Sequence, residues 1–327
     1  MAVLSYIQAV TLALKEEMER DEKVFVLGED VGKRGGVFRA TDGLYDQFGE
    51  KRVIDTPLAE SAIAGVGIGA AMYGMRPVAE MQFADFIMPA INQIISEAAR
   101  IRYRSNNDWN CPITIRAPYG AGVHGGLYHS QSIEAIFANQ PGLKIVMPSS
   151  PYDVKGLLKS AIRDEDPVLF LEHKKAYRLL KEEVPDTDYT IPIGKAEVKR
   201  EGTDVTVVTY GLCVHFAKQA AEKLAQDGIS VEIVDLRTVY PIDEETIIQS
   251  VSKTGKALLV TEDNKEGSII GEVAAIISEN CLFDLDAPVK RLAAPNIPAS
   301  PFAPNLEKEF LINTDKVERA LRELAEF

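Results

Sequence analysis

Short β-rich runs alternate with longer helical patterns along nearly the whole chain, and this alternation most limits its fold. "KVFVLGED", "RPVAEMQF", "CPITIRAP", "LKIVMPSS" and "PVLFLEH" are interleaved with patterns such as "FIMPAINQIISEAARIRYRS" and "PYDVKGLLKSAIRDE". Strands that take turns with helices predict a mostly parallel sheet with helices on both faces. Around "KEEVPDTDYTIPIGKAEVKREGTD" the pattern loosens, and alternation restarts with "VTVVTYG", "VEIVDLRTVYP", "ALLVTED" and "VKRLAAP". The expectation is an α/β chain of two successive domains, 1–185 and 186–327, with a linker at about 186–203. The length of 327 residues agrees, because a single core stops growing at roughly 250 to 300 residues.

Composition removes several classes of function. No apolar run reaches the ~18 residues of a membrane span. The balance of 36 basic against 49 acidic residues gives a net charge of -13 with no basic stripe, which argues against nucleic acid and suits a basic protein partner. The opening "MAVLSYIQAVTLALKEEMER" reads as an amphipathic helix rather than a targeting signal, since no basic segment precedes its apolar part. Cys111, Cys213 and Cys281 are far apart and odd in number, so a reducing cytoplasm is expected.

One charge stands out in "RVIDTPLAESAIAGVGIGAAMYG", where Glu60 heads a stretch of apolar and very small residues. As a helix start it has a structural reading: Thr56 caps, Pro57 enters the first turn, and the acid favours the helix dipole. A capping box fails, because Ala59 stands where Glu or Gln is required. Ser61, Gly65 and Gly69 fall on one line of that helix. Each interior glycine costs about 0.5 to 1 kcal/mol relative to alanine, so the line predicts close approach by another backbone. "GVGIG" is not a dinucleotide loop, since the third spacing of G-x-G-x-x-G is absent.

Downstream, "APYGAGVHGGLYHSQSIEAIF" is a strand, a glycine-rich loop and a helix. Mobile loops on a rigid sheet often carry catalytic groups. His129 is the stronger candidate here and His124 the weaker, imidazole being suited to proton transfer near neutrality. A zinc site from His124, His129 and Cys111 is one ligand short of a closed structural site. Without further context Phe86 reads as a core aromatic at the head of "FIMPAINQ", and Gln82 as a strand side chain.

The spacing Glu-x4-Gly-apolar-x-x-Gly, at Glu60, Gly65, Val66 and Gly69, resembles the fingerprint of the pyrimidine-binding domain of thiamine diphosphate enzymes, with Ala70 where a glutamine often follows. The resemblance continues through "LGEDVG", "GGVFRATDGL", "DTPLAES", "MQFADF", "LYHSQS", "ANQPGLKIVMPS" and "VDLRTVYPID". On these motifs the chain is identified as a member of the beta subunits of thiamine-dependent 2-oxo acid dehydrogenases. "MQFADFIMPA" and "GLYHSQS" are most similar to the branched-chain group, with pyruvate dehydrogenase the near neighbour.

The resemblance implies a thiamine diphosphate-binding domain of the pyrimidine type followed by a transketolase C-terminal-like domain. It implies that Glu60 bonds N1′ of the aminopyrimidine and relays a proton, which requires a buried carboxyl group. By the same carry-over Leu58, Gln82 and Phe86 line the pyrimidine, and His129 supplies a proton as the acyl group passes to lipoamide. Structural potassium in relatives corresponds to Ile113, Thr114, Ala161, Asp164 and Asp166, the alternative being an ordinary helix-end turn in "IRDEDP". No Gly-Asp-Gly segment is present to hold magnesium and diphosphate, so an alpha subunit is expected to supply it in an α2β2 heterotetramer. The expected substrates are branched-chain 2-oxo acids such as 3-methyl-2-oxobutanoate. The second domain is expected to dock on the basic subunit-binding domain of the lipoyl acyltransferase core, with Glu262, Asp263 and Phe327 as candidate contacts. The competing readings are one chain of a split transketolase-like enzyme and a non-enzymatic scaffold.

Overall fold

The computed structural model describes residues 2–327, which separate into two compact units: the chain up to Tyr119 with Ile136–Ile193, and Gly120–Ala135 with Gly194–Phe327. The break falls between Ile193 and Gly194, within the tract expected to be a linker.

In the first unit a ribbon pairs β1 (Ala2–Ser5) antiparallel with β8 (Lys181–Val184). The sheet is built from β2 (Val24–Gly28), β3 (Val53–Asp55), β4 (Arg76–Glu80), β5 (Thr114–Tyr119), β6 (Lys144–Val146) and β7 (Val168–His173). These six strands run parallel in the order β6-β7-β5-β4-β2-β3. Every residue of β2, β5 and β7 is buried, as strands covered on both faces require. Helix Tyr6–Arg20 packs on helix Pro151–Arg163. Arg163 reaches across to the fully buried Glu17 at 2.6 Å.

Three local readings are corrected. The chain opens on strand β1, and the helix begins after Ser5, where Ser5 and Gln8 form a capping box. The run from Phe86 to Arg104 is no continuous helix: 3-10 turns at Ala84–Phe86 and Met88–Ala90 lead into a π turn at Gln93–Glu97 and a short α segment at Ile101–Arg104. Pro89, lacking an N–H, contributes to the tightening. The expected linker is partly strand at its far end, where β9 (Glu197–Arg200) already pairs in the second unit.

The second unit adds β10 (Val205–Thr209), β11 (Val231–Asp235), a short β12 (Thr238–Tyr240), β13 (Ala257–Asn264) and β14 (Lys290–Ala294). Its sheet runs β14-β13-β10-β11-β9, parallel except for β9. Helices Cys213–Ala225 and Thr314–Ala325 close its core, with Val207, Val214, Ala217, Ile233, Leu258 and Leu321 all buried.

Candidate active site

Because β3, β2 and β4 are parallel neighbours, the residues just past their carboxyl ends share one edge, where open α/β sheets bind ligands. Glu29 and Asp30 follow β2, Thr56 follows β3, and Gln82 lies two residues past β4. Glu60 is the first residue of helix Glu60–Met72 and only 8% exposed. The helix's N-terminal end favours negative charge at that position. Ala59 is the N-cap and no side chain caps the helix, so the expected Thr56 cap is absent. The Thr56 hydroxyl is buried without a hydrogen-bond partner.

Gln82 Nε2 donates to Asp30 Oδ2 at 3.4 Å, which ties the end of β4 to the end of β2. Next to Asp30, Glu29 is 5% exposed, and its Oε1 has no hydrogen-bond partner. Burial, then the charges of Glu60 and Asp30, hold the Glu29 carboxyl above the usual carboxylate range. Glu29 and Thr56 were missed as site residues. "LGEDVG" contained the signal for Glu29, an acid immediately after a buried strand. Among the described residues no hydrogen bond or ion pair engages the Glu60 carboxylate.

Phe86 is half-buried and meets Phe83 edge-on at 5.4 Å between ring centroids. The segments that follow it, Met88–Ala90 and Gln93–Glu97, pack against helix Glu60–Met72. Leu58 is 78% exposed in the turn before that helix. The structure therefore gathers Glu60, Glu29, Thr56, Asp30 and Gln82 at one sheet edge, with Phe86 and Leu58 on flanking turns.

The glycine line on helix Glu60–Met72 is not explained by contacts within the chain. A Cβ on Gly69 meets nothing within 4 Å, and one on Gly65 meets only Gln93 at 3.8 Å. The tight glycine is Gly67, where a Cβ would approach Ile113 Cδ1 to 2.7 Å. Leu58, Val66 and Tyr73 are all exposed around this small-residue face.

In the second unit, the segment Gly120–Ala135 is closed at its base by Gly120 N–H donating to the Gln131 carbonyl at 3.0 Å. His129 is half-buried and follows the 3-10 turn Gly126–Tyr128. His124, at φ +59°, lies against Phe302 with the rings tilted by 31° and places Nδ1 3.0 Å from Glu307 Oε2. Glu60 and His129 thus belong to different units. Glu262 and Asp263, expected on an exposed face, are half-buried, and burial pushes Asp263 up to about 6. Phe327 is exposed.

Ile113, Thr114, Ala161, Asp164 and Asp166 lie around the foot of β5 and the end of helix Pro151–Arg163, where several of their oxygens have protein partners. Lys144 Nζ holds both Asp164 carboxylate oxygens at 2.7 Å, and Arg102 Nε holds Asp166 at 2.5 Å. The carbonyls of Ile113 and Ala161 accept from Val168 and Asp164. The turn is an ion-paired helix end. Cys111 is fully buried, its thiol pushed up to about 12 mainly by burial, and all three cysteines are free. Among the described residues no group of three His, Cys, Asp or Glu is placed to hold a metal, and no helix is long and apolar enough to cross a membrane.

Comparison with known proteins places two domain families on the chain: the transketolase pyrimidine binding domain matches residues 2–179, and the transketolase C-terminal domain matches 194–317. The 2-oxoisovalerate dehydrogenase subunit beta of Bacillus subtilis (strain 168) is 78% identical over 327 residues, covering all of both chains. The pyruvate dehydrogenase E1 component subunit beta of the same organism is 52% identical over the same span. Among solved structures, a split gene transketolase, an inactive beta4 tetramer, superposes with a TM-score of 0.80 at 24% identity, covering 99% of this chain and 98% of that one. At that identity it speaks for the fold alone.

Proposed function

The chain belongs to the family of 2-oxo acid dehydrogenase beta subunits, built from transketolase pyrimidine-binding and C-terminal domains, and from that premise we propose that it is the beta half of a branched-chain 2-oxo acid dehydrogenase. It oxidatively decarboxylates substrates such as 3-methyl-2-oxobutanoate and passes the acyl group to lipoamide. The observation that carries this reading is the identity of 78% over the full length to the 2-oxoisovalerate enzyme's beta subunit, against 52% to the pyruvate enzyme's.

The site accommodates the aminopyrimidine end of thiamine diphosphate on physical grounds. It offers a buried carboxylate with no protein partner, two further buried polar atoms without hydrogen bonds (Glu29 Oε1 and Thr56 Oγ1), and an aromatic ring nearby. When bound, thiamine diphosphate supplies the electron sink that decarboxylation requires. Glu60 holds a proton between its carboxyl group and the ring nitrogen, and its burial strengthens that hydrogen bond. Glu29, neutral more readily than an ordinary carboxyl group, limits the negative charge behind it. Phe86 and Leu58 give apolar surface, and Gln82 a polar edge. His129 delivers a proton during acyl transfer to the lipoyl group.

The partners follow from what this chain lacks. With no Gly-Asp-Gly segment, magnesium and the diphosphate are held by an alpha subunit in an α2β2 assembly. The open face at Gly65, Val66 and Gly69 is where another backbone approaches. The acidic surface suits the basic subunit-binding domain of the acyltransferase core, and the cytoplasm is the compartment that three free cysteines favour. The test is to reconstitute the chain with its alpha partner, magnesium and thiamine diphosphate, and compare kcat/KM for 3-methyl-2-oxobutanoate and pyruvate. A preference for the branched substrate is expected, and a strong preference for pyruvate overturns the assignment.

A further inference from the structure

The loop that carries His129 ends on a buried acid that the site does not use. Glu134 is 1% exposed and opens helix Glu134–Ala138. Its Oε1 accepts from Tyr210 Oη at 2.9 Å, and Tyr210 Oη lies 2.7 Å from Thr261 Oγ1. Tyr210 follows β10 and Thr261 lies in β13, two adjacent parallel strands. Glu134 therefore fastens the loop's end to the carboxyl edge of the second unit's sheet. Three residues earlier, the Gln131 carbonyl clasps Gly120 across the loop base. Gly125 folds back so closely that a Cβ there would lie 2.7 Å from the His129 carbonyl. The conformation at His129 is thus fixed from both sides by short links.

We propose that Glu134 is a positioning residue: pinned through Tyr210 and Thr261, it sets where the 120–135 loop presents His129, a role that rests on the assignment of His129 above. The other oxygen, Oε2, is buried with no hydrogen-bond partner, an arrangement costly for a carboxylate and tolerable for a carboxylic acid. The groups that face it are Tyr210, Asp263 and Glu262 of β13, and Cys213 at the head of helix Cys213–Ala225. Burial, then the charges of Asp263 and Glu262, push Glu134 up to about 8. Above that pH a new negative charge appears beside two others in a dry site, and the anchor loosens.

Two readouts on the complex with the alpha partner test this. The first is hydrogen exchange of peptides from 120–135 at pH 7 and pH 9, comparing wild type with Glu134→Gln at each pH so that intrinsic exchange cancels. At pH 9 the wild-type loop is expected to be less protected than that of Glu134→Gln, with the two alike at pH 7. The second is the ratio of lipoyl-domain acylation to decarboxylation measured with an artificial electron acceptor. It is expected to fall about fivefold or more from pH 7 to pH 9 in wild type, as the neutral fraction of a group near pH 8 falls, and to stay flat in Glu134→Gln. Tyr210→Phe, which removes the donor, is expected to expose the loop already at pH 7. The proposal is overturned if Glu134→Gln keeps the wild-type pH dependence in both readouts, or if Tyr210→Phe leaves loop exchange unchanged. Should His129→Ala leave the acylation ratio intact, the His129 assignment fails instead, while loop exchange still reports on the Glu134 anchor.

Discussion

Burial and then the charge of Glu60, the first residue of helix Glu60–Met72, hold the Glu29 carboxyl, just past the end of β2, above the ordinary carboxylate range. A group whose pKa is raised in the folded state favours folding most where it is protonated, below its unfolded pKa. That contribution is lost as pH rises through the folded value. Glu29→Gln is therefore expected to raise the melting temperature relative to wild type at pH 8, the difference closing as the pH falls below the range of an ordinary glutamate. A shift of equal size at both pH values contradicts this.

Arg116 is a fully buried charge in the first unit, donating to Glu80 at 2.6 Å and to Glu172 at 2.6 Å and 2.8 Å, with Tyr177 also on Glu172. Removing it leaves two buried carboxyl groups sharing no cation. Arg116→Leu is expected to destabilise the chain by roughly 3 to 5 kcal/mol, read by urea unfolding. A loss below about 1 kcal/mol, the scale of a surface pair, contradicts the burial of this network.

Gly69 separates the stability of the chain from its assembly. With nothing within 4 Å of a Cβ there, Gly69→Ala is expected to stabilise the isolated chain by about 0.5 to 1 kcal/mol through helix propensity. The same methyl group is expected to weaken association with the alpha subunit, and Gly69→Leu to prevent it, as seen by size-exclusion chromatography. Unimpaired assembly of Gly69→Leu removes that helix face from the interface.

Much of the fold was legible because buried strands such as Val24–Gly28 and Val168–His173 are continuous apolar runs bounded by turns. Glu60 was legible because a charge among alanines and glycines is conspicuous. Glu29 was not, because the pairing of β2 with β3, which brings it towards Glu60, has no local signature. The Thr56 cap failed since the helix starts four residues later, leaving the hydroxyl pointing into the interior. Glu134 was invisible for a related reason: its partner Tyr210 is 76 residues away in the chain. Phe86 was misread locally as a helix head because apolar spacing does not distinguish an α-helix from successive 3-10 and π turns.

The most direct test is the exchange of the thiazolium carbon's hydrogen for deuterium on thiamine diphosphate bound to the assembled complex, followed by quenched NMR without substrate. With Glu60 supplying the proton at the pyrimidine nitrogen, Glu60→Gln is expected to slow this exchange by about 10² to 10⁴-fold while the subunits still assemble and the cofactor still binds. Exchange at the wild-type rate in Glu60→Gln contradicts the role of Glu60 in forming the reactive cofactor.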